Sequence, residues 1–372
     1  MVKHFGKIGN TNMNSNFFKD KKVLITGHTG FKGSWASIWL TMLGAKVYGY
    51  ALKPYTNDDN FLTCGIENIM THTIGDVCDA ALLADFFDKV QPDIAFHFAA
   101  QPLVLKSYTS PAETFQTNLM GVVNFFEAVR KTPSVIVAIN VTSDKCYDNK
   151  EWLWGYREND MMGGKDPYSA SKGCSELITS SYINSFFQKS TCKVASVRAG
   201  NVIGGGDWAE DRIVPDFFRA VKSNAQLKIR NPHATRPWQH VLEPLSGYFT
   251  LAALLYNDKR LVGGWNFGPH QDKNFSVKIL IENMMEYGKM GNCIFESEQQ
   301  KFHEASLLKL DISKAINYLE WQPTLTFNET ISYTVDGYLD ELNKKDLLKS
   351  RMGQIENYML KAQTLNISWA QN

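Results

Sequence analysis

The feature that most constrains this chain is a glycine-rich turn between an apolar segment and a helical segment. Residues 21–26 form a short run rich in apolar residues, which is typical of a buried parallel strand. Gly27, Gly30 and Gly33 follow it, and a helical pattern then continues to about Leu43. Glycines allow a tight turn, a close approach of backbone to phosphate, and close packing of helix on strand. The arrangement predicts a dinucleotide site in which the N-terminus of the helix faces a pyrophosphate.

The chain continues to alternate between β-type and helical patterns as far as about residue 200. The β-type segments are residues 45–52, 71–76, 94–99, 134–142 and 193–198, and the helical segments are residues 79–90, 112–130 and 167–188. Repeated β-α-β units favour an α/β fold with a Rossmann-type, doubly wound parallel sheet. From about Asn201 the sequence is richer in glycine and proline turns, so we expect a smaller C-terminal lobe that binds the substrate.

These patterns divide the chain into four parts. We expect a flexible leader at residues 1–19, because this segment is polar and has no regular pattern. The dinucleotide-binding Rossmann domain should occupy residues 20–200, with later segments returning to it. Residues 201–345 should mainly form the substrate-binding lobe, and residues 346–372 a charged helical tail.

Composition excludes several classes of function. Lys and Arg total 39 against 38 Asp and Glu, so the net charge of +1 gives no reason to expect nucleic acid or an anionic membrane as a partner. No apolar run approaches the roughly 20 residues of a membrane span, and the N-terminus lacks the apolar core of a secretory signal. We therefore expect a cytoplasmic protein. The six cysteines form no Cys-x-x-Cys pair and the histidines show no metal-binding spacing, so reduced thiols and no metal site are expected.

The sharpest chemical signal is the pair Tyr168 and Lys172, four residues apart. Asp166 suits the N-cap of a helix and Pro167 its first position, which would place both side chains on one helix face. A phenol with a pKa of about 10 is a poor base at neutral pH, but a nearby ammonium and a helix N-terminus favour the phenolate. We therefore interpret Tyr168 as a general base for an alcohol, although the same spacing also occurs by chance on solvated helices.

A second cluster follows the strand predicted at residues 134–142. Ser143, Asp144 and Lys145 bring together a hydroxyl, a carboxylate and an ammonium. The carboxyl end of a parallel strand is where α/β proteins collect their chemistry. Ser143 could bind a reacting hydroxyl beside Tyr168, Asp144 could protonate a leaving hydroxyl, and Lys145 could move a proton at carbon. The alternative is a polar surface turn.

Together these segments resemble the CDP-glucose 4,6-dehydratases, which are nucleotide-sugar dehydratases of the extended short-chain dehydrogenase/reductase type. In the dTDP-glucose branch the cluster reads Thr-Asp-Glu, whereas this chain has Ser-Asp-Lys, as in the CDP-sugar branch. The resemblance spans roughly residues 20–340 and is carried by residues 27–35, 142–147, 198–208, 236–241 and 266–269, together with Tyr168 and Lys172.

The resemblance implies a closed redox cycle on a CDP-hexose with NAD as cofactor. The sugar is oxidised at C4, water is lost across C5 and C6, and hydride returns to C6, which gives CDP-4-dehydro-6-deoxyglucose, a precursor of deoxysugars in surface polysaccharides such as O-antigens. Tyr168 would be the base for the C4 hydroxyl, with Ser143 binding it and Lys172 holding the nicotinamide ribose. Asp144 would be the acid for the C6 hydroxyl and Lys145 would assist at C5.

The remaining site residues are expectations of the same kind. Arg212 and Arg236 are candidates for the substrate, since guanidinium groups suit a diphosphate, and a solvated surface is the alternative for each arginine. By the same resemblance, Asn201 contacts either the substrate phosphate or the backbone. Asp76 is either an adenine contact or a turn aspartate. The predicted dinucleotide contacts are Gly27, His28, Gly30, Phe31, Lys32, Gly33, Asp76, Val77, Ala99, Ala100, Gln101, Asn118, Tyr168 and Lys172.

Three questions stay open at the level of sequence. The second β-type segment ends without a carboxylate for ribose hydroxyls, and His28, Lys32 and Lys53 could favour an extra phosphate, so NAD and NADP are not distinguished by the residues alone. A nucleotide-sugar 4-epimerase shares the fold and the Tyr-Lys pair but needs no acid for a C6 hydroxyl. A non-catalytic NAD-binding sensor would need no phenolate.

By analogy with the superfamily we expect a homo-oligomer, a dimer or a tetramer.

Overall fold

A computed structural model describes residues 16–270, 275–296 and 307–371. The strands in these ranges are β1 (Lys22–Thr26), β2 (Lys46–Ala51), β3 (Thr71–Ile74), β4 (Ile94–His97), β5 (Val137–Val141), β6 (Lys193–Ala199), β7 (Val202–Ile203), β8 (Leu227–Ile229), β9 (Thr235–Arg236), β10 (Gln239–His240), β11 (Gly263–Phe267), β12 (Phe275–Ser276) and β13 (Cys293–Phe295). The α-helices are α1 (Phe31–Met42), α2 (Asn60–Thr63), α3 (Ala80–Val90), α4 (Val104–Thr109), α5 (Pro111–Phe115), α6 (Gly121–Lys131), α7 (Pro167–Tyr182), α8 (Ile213–Lys222), α9 (Leu242–Asn257), α10 (Val277–Gly288), α11 (Ser313–Leu319), α12 (Phe327–Leu342) and α13 (Leu347–Thr364).

The central element is a seven-stranded sheet in the order β11-β6-β5-β4-β1-β2-β3. Each neighbouring pair in it is parallel. Side chains of β1 alternate between the two faces, so Val23 and Ile25 enter one core together with α1 and α9, while Leu24 enters the other with α3 and α6. Helices on both faces of a parallel sheet confirm the predicted Rossmann-type, doubly wound architecture.

A smaller set of elements forms its own apolar core after residue 201. Helices α8, α10 and α12 bury Phe218, Leu280 and Tyr338 around the short strands β8 and β9. Strand β11 and helix α9 belong to the same stretch of sequence but return to the large sheet, where β11 pairs with β6 and α9 packs against β5. Elements after residue 201 therefore belong partly to this smaller core and partly to the large sheet.

The two ends of the described chain pack more closely than the sequence suggests. Of the predicted leader, residues 1–15 lie outside the described residues, whereas Phe18 is completely buried in the core next to α9. The predicted tail does form a helix, α13, but its Tyr358 and the following Trp369 are also buried against α1. In the part of the chain that the structure describes, no helix is long and apolar enough to cross a membrane.

Candidate active site

The glycine turn has the shape that a pyrophosphate requires. Gly27 has a φ of +77°, and a Cβ there would lie 2.6 Å from the backbone nitrogen of Ala99. A Cβ on Gly33 would lie 2.1 Å from the carbonyl oxygen of Gly27, so neither position has room for a side chain. Helix α1 begins at Phe31, and no side chain caps it at Gly30. The first N–H groups of α1 are thus directed at the turn without a side-chain acceptor, which fits a bound dinucleotide phosphate.

His28 does not supply the positive charge that the sequence suggested near this turn. Its ring is completely buried, 5.1 Å from the ring of Phe61 and 5.4 Å from that of His72, measured between centroids. Burial lowers the pKa of His28 to about 3, and the neighbouring His72 acts in the same direction. The imidazole is therefore neutral and part of the core, and only the backbone of His28 is available to a dinucleotide.

Lys32, the second residue of α1, belongs to the same electrostatic environment as the predicted catalytic residues. Burial lowers the pKa of Lys32 to about 8, and the positive charges of Arg212 and Lys172 lower it further, whereas Asp144 raises it. The side chain is thus placed between the dinucleotide turn and the catalytic cluster. Phe31, the residue before it, is half-buried and packs against the core.

The loop after β3 positions Asp76 as a turn residue. Its side-chain oxygen accepts a hydrogen bond of 2.9 Å from the backbone N–H of Cys78, and its carbonyl accepts one of 2.9 Å from the hydroxyl of Tyr50. The side chain is exposed, so this turn role still allows contact with a ligand. Val77 is buried, and a Cβ on Gly121 would lie 2.8 Å from it.

The segment after β4 is connected to helix α7 by hydrogen bonds of Asn118. Its side-chain oxygen accepts from the N–H of Gln101 at 2.8 Å, and its amide nitrogen donates to the carbonyl of Gln101 at 3.1 Å and to Ser171 at 2.8 Å. These bonds hold the half-buried backbone of Ala99 and Ala100 at a fixed distance from α7. Asn118 and Gln101 were predicted as dinucleotide contacts, but here their side chains bind within the protein.

Helix α7 begins as the sequence predicts. The Asp166 side chain accepts a 2.9 Å hydrogen bond from the N–H of Ser169, and Pro167 is the first helical residue. Tyr168 and Lys172 follow one turn apart and are 8% and 5% exposed. Burial lowers the pKa of Lys172 to about 8, while Glu176 on the next turn acts in the opposite direction.

The predicted lowering of the Tyr168 pKa is wrong in sign for this structure. Burial raises the pKa of Tyr168 to about 12, because a phenolate loses its hydration there. A hydrogen bond with Ser143 and the positive charge of Arg212 act in the opposite direction but do not outweigh burial. The influences that favour the phenolate are therefore the hydrogen bond with Ser143 and the charge of Arg212, whereas the carboxylates of Asp144 and Asp166 oppose it.

Ser143, Asp144 and Lys145 form the single turn that follows β5. The hydroxyl of Ser143 donates to Asp144 at 2.9 Å and accepts from the N–H of Lys145 at 3.2 Å. Asp144 is 4% exposed, and burial raises its pKa, although Lys145, Ser143 and Arg236 act against that rise. A carboxyl group with a raised pKa holds its proton more readily, which suits a general acid.

Sequence reasoning missed Glu176, a buried carboxylate on α7 near this cluster. Glu176 lies one helical turn beyond Lys172 and accepts hydrogen bonds from Thr142, from Ser196 at 2.6 Å and from Arg198 at 2.8 Å. These partners lie at the end of β5 and on β6, so the carboxylate ties both strands to α7. The signal was available, because Tyr168, Lys172 and Glu176 repeat every four residues.

The three predicted substrate residues differ in their placement. Arg212 is half-buried, donates to Asp207 at 2.8 Å, and acts on the pKa of Tyr168. Arg236 is half-buried on β9 and acts on the pKa of Asp144. The carbonyl of Asn201 accepts from the N–H of Gln239 at 3.1 Å, which joins β7 to β10. Both arginines therefore act electrostatically on the Tyr168 and Asp144 cluster, whereas Asn201 makes a backbone contact between β7 and β10.

Comparison with known proteins agrees with this arrangement. The family described as GDP-mannose 4,6 dehydratase matches residues 24–334. The chain belongs to this family. A CDP-glucose 4,6-dehydratase of Salmonella typhimurium is 46% identical over 354 residues, which cover 93% of this chain and 98% of that protein. The dTDP-glucose 4,6-dehydratase 1 of Escherichia coli is 23% identical, over 88% of this chain and 96% of that protein.

Solved structures of the same fold include both dehydratases and epimerases. A dTDP-glucose 4,6-dehydratase from Bacillus anthracis, solved in complex with NAD, superposes with a TM-score of 0.74 at 18% identity and covers 88% of this chain and 99% of that chain. An epimerase from Methanothermobacter thermautotrophicus gives 0.76 at 20% identity, covering 89% and 96%. The fold alone therefore does not distinguish a dehydratase from an epimerase. The side chains of the site have to make that distinction.

Proposed function

We propose that this protein removes water from CDP-D-glucose to give CDP-4-dehydro-6-deoxy-D-glucose, with NAD as a cofactor regenerated in every cycle. The observation that carries the proposal is the buried Asp144 carboxyl, hydrogen-bonded to Ser143 beside Tyr168. An epimerase needs only the Tyr-Lys pair, whereas an elimination needs an additional acid and base. The 46% identity to a CDP-glucose 4,6-dehydratase supports the choice of substrate.

The glycine turn and the uncapped start of α1 fit the pyrophosphate of a dinucleotide, and Lys172 would hold its nicotinamide ribose. When bound, NAD would supply the hydride chemistry of the cycle, in which C4 of the sugar is oxidised and C6 is reduced. Asp76 and the backbone around Ala99 would line the remainder of this site. The choice of NAD over NADP is supported by the NAD complex of a structural neighbour.

Each proton in the cycle has a candidate group in this chain. Tyr168 takes the proton of the C4 hydroxyl, with Ser143 as hydrogen-bond partner and with Lys172 and Arg212 favouring the phenolate. Once C4 is a ketone, the hydrogen on C5 is acidic, and an unprotonated amine of Lys145 would accept it as a proton. Asp144 protonates the C6 oxygen, which leaves as water.

The balance closes with one proton returned to carbon. After hydride reaches C6, C5 takes up a proton, so the sugar has lost only the elements of water. In each cycle Tyr168 gains one proton from the C4 hydroxyl and Asp144 gives one proton to the leaving oxygen, so the protein has no net gain or loss of protons. Arg212 and Arg236 face this cluster, and their guanidinium groups would bind the diphosphate that links sugar and nucleoside.

A panel of substrates tests the proposal. The protein is incubated with the CDP, dTDP, UDP and GDP derivatives of glucose, each with NAD or NADP, and products are followed by mass spectrometry and by NMR of the sugar. We expect CDP-glucose with NAD to give a product lighter by one water. Conversion to a C4 epimer of unchanged mass would instead support an epimerase, and dinucleotide binding without any conversion would support a sensor.

We further propose that the protein assembles into a dimer or a tetramer. On α7, Leu177 is 61% exposed, and Met120, in the helical segment that α7 packs against, is 43% exposed. Exposed apolar side chains on the catalytic helix would be covered if that helix packs against its copy.

A further inference from the structure

Arg351, in the C-terminal helix α13, is completely buried although it is more than 100 residues from the predicted catalytic residues in sequence. Its Nε donates to the side chain of Asn60 at 3.0 Å, and one terminal nitrogen donates to the carbonyl of Gly337 at 3.0 Å. The other terminal nitrogen pairs with Glu341. Its guanidinium carbon also lies 5.4 Å from the centroid of the Trp35 ring. One side chain thus joins α13 to α1, α2 and α12.

The glycine-rich turn at residues 204–208 is shaped around this guanidinium. A Cβ on Gly205 would lie 2.7 Å from a terminal nitrogen of Arg351 and 2.8 Å from the carbonyl carbon of Gly337. A Cβ on Gly206, where φ is +81°, would lie 2.4 Å from the side-chain oxygen of Asn60. Glycine is therefore required at both positions, because only a residue without a side chain allows the backbone to contact Arg351 and Asn60 directly.

The same groups fix the turn at both ends. The indole nitrogen of Trp35, on α1, donates to the carbonyl of Gly205 at 3.0 Å. The indole nitrogen of Trp208 donates at 2.7 Å to Glu341, which is the partner of Arg351. The turn is consequently held between the dinucleotide-binding helix and the smaller lobe by groups that all contact one guanidinium.

The turn at residues 204–208 also holds Arg212, a candidate substrate residue. Asp207 is 3% exposed and accepts a 2.8 Å hydrogen bond from Arg212, whose side chain is 32% exposed. Arg212 acts on the pKa of both Tyr168 and Lys32, so its guanidinium lies near the catalytic cluster. An arginine that must bind a diphosphate in a fixed geometry benefits from a rigid support.

We infer that Arg351 is a positioning residue for substrate binding: through the turn at residues 204–208 and Asp207 it sets Arg212 against the site on α1. This inference rests on the proposed function, because it assigns Arg212 to the substrate diphosphate. Arg351 contacts neither predicted ligand and is therefore not a catalytic residue. It gives the C-terminal helix a role in nucleotide-sugar binding.

The test measures the affinity for CDP alone by calorimetry, so it does not depend on turnover. Arg351→Met leaves Glu341 buried and without this partner, which endangers folding, so the main variant is the double substitution Arg351→Met with Glu341→Met. We expect this variant to fold and to bind CDP about tenfold to a hundredfold more weakly than the wild type. Lys349→Met removes an exposed charge from the same helix and should bind CDP like the wild type.

A double-mutant cycle separates positioning from general damage. In an Arg212→Met background, the Arg351/Glu341 double substitution should cause little further loss of CDP affinity, because its effect is transmitted through Arg212. An equal loss with and without Arg212, or no loss at all in the double variant, would overturn the inference. Wild-type protein that bound no CDP would overturn the proposed function and this inference together, whereas normal binding by both the wild type and the double variant would overturn the inference alone.

Discussion

Tyr168 is a residue at which burial and charge oppose each other. Its pKa is raised to about 12, so a base at this position depends on the charges of its neighbours and on Ser143. We expect Tyr168→Phe to lower the rate of C4 oxidation by about 10²-fold to 10⁴-fold, because the phenyl ring cannot accept the proton. Product formation from CDP-glucose measures this, with the exposed Tyr55→Phe as control. Nearly unchanged turnover in Tyr168→Phe would exclude this tyrosine as the base.

Asp144 allows the two halves of the reaction to be separated. Asp144→Asn keeps the size of the side chain but removes the acid, so loss of water should be slowed strongly, by about 10²-fold or more, while earlier steps continue. In D₂O, the sugar of CDP-glucose should then exchange its C5 hydrogen for deuterium faster than it loses its C6 oxygen. Mass spectrometry reports both events. Release of 6-deoxy product at the wild-type rate would remove Asp144 from the acid role.

Side-chain environment is what the sequence could not predict at the residue scale. The spacing of Tyr168 and Lys172 correctly placed both on one helix face, because helical geometry is local. The direction of the Tyr168 pKa and the burial of His28 depend instead on which distant residues cover these groups. His28 lies under Phe61 and beside His72, and neither contact can be read from the glycine motif.

At the scale of elements, the turn between β1 and α1 depends on the absence of a side chain at Gly33. We expect Gly33→Ala to weaken NAD binding by at least about tenfold and to destabilise the fold, since the new Cβ would meet the Gly27 carbonyl at 2.1 Å. Gly353→Ala, in α13, is the matched control. A Cβ there would meet nothing within 4 Å, so it should leave NAD binding unchanged and stabilise the fold by roughly 0.5–1 kcal/mol. Fluorescence titration with NAD and urea denaturation measure the two effects, and unaltered NAD affinity in Gly33→Ala would contradict the assignment of the turn.

Helix α9 carries a carboxyl group that should make stability depend on pH. Glu243 accepts hydrogen bonds from the N–H groups of Thr324 and Leu325 and from the hydroxyl of Tyr358. Burial nevertheless raises the pKa of Glu243 from 4.5 to about 7. The folded protein therefore binds a proton more tightly than the unfolded chain, so this contribution to stability is full below about pH 4.5 and is lost as the pH rises through about 7.

Glu243→Gln should remove that dependence, because an amide does not titrate. The free energy of unfolding of the wild type relative to this variant should fall by about 1–3 kcal/mol between pH 5 and pH 8. Urea denaturation at several pH values measures the difference, with the exposed Glu67→Gln as control. A constant difference across the range would show that Glu243 does not titrate there.

Regular elements were predictable wherever the local pattern is strong. The segments predicted at residues 79–90 and 193–198 correspond to α3 and β6, and the glycine stop placed the end of α1 to within one residue. The burial of α13 was not predictable, because Arg351 makes the helix look charged although its contacts lie on α1, α2 and α12. A charged helix pattern indicates a solvated face only when no distant partner neutralises it.

On the scale of the whole molecule, the smaller lobe is connected to the large sheet at several separate points in the sequence. The chain leaves the large sheet after β6 and returns to it with α9 and β11. Helix α12 then contributes to the core of the smaller lobe, and α13 packs on the core of the large sheet. The elements of the smaller core are therefore not separated from the large sheet by a single boundary in the sequence. Both lobes contribute to the site, with Tyr168 and Asp144 from one and Arg212 and Arg236 from the other, so the geometry of catalysis depends on how they are held together.

The proposed assembly is tested by placing a charge on the catalytic helix. Leu177→Glu should convert a dimer into monomers or a tetramer into dimers, because a two-fold interface through α7 would bury the new carboxylate from both copies. Leu360→Glu on α13 is the matched control, since Leu360 is 59% exposed against 61% for Leu177. Light scattering during size-exclusion chromatography gives the mass of each variant. If Leu177→Glu kept the wild-type mass, the copies would have to meet through another surface, and α7 would then hold Tyr168 and Lys172 without support from a neighbouring copy.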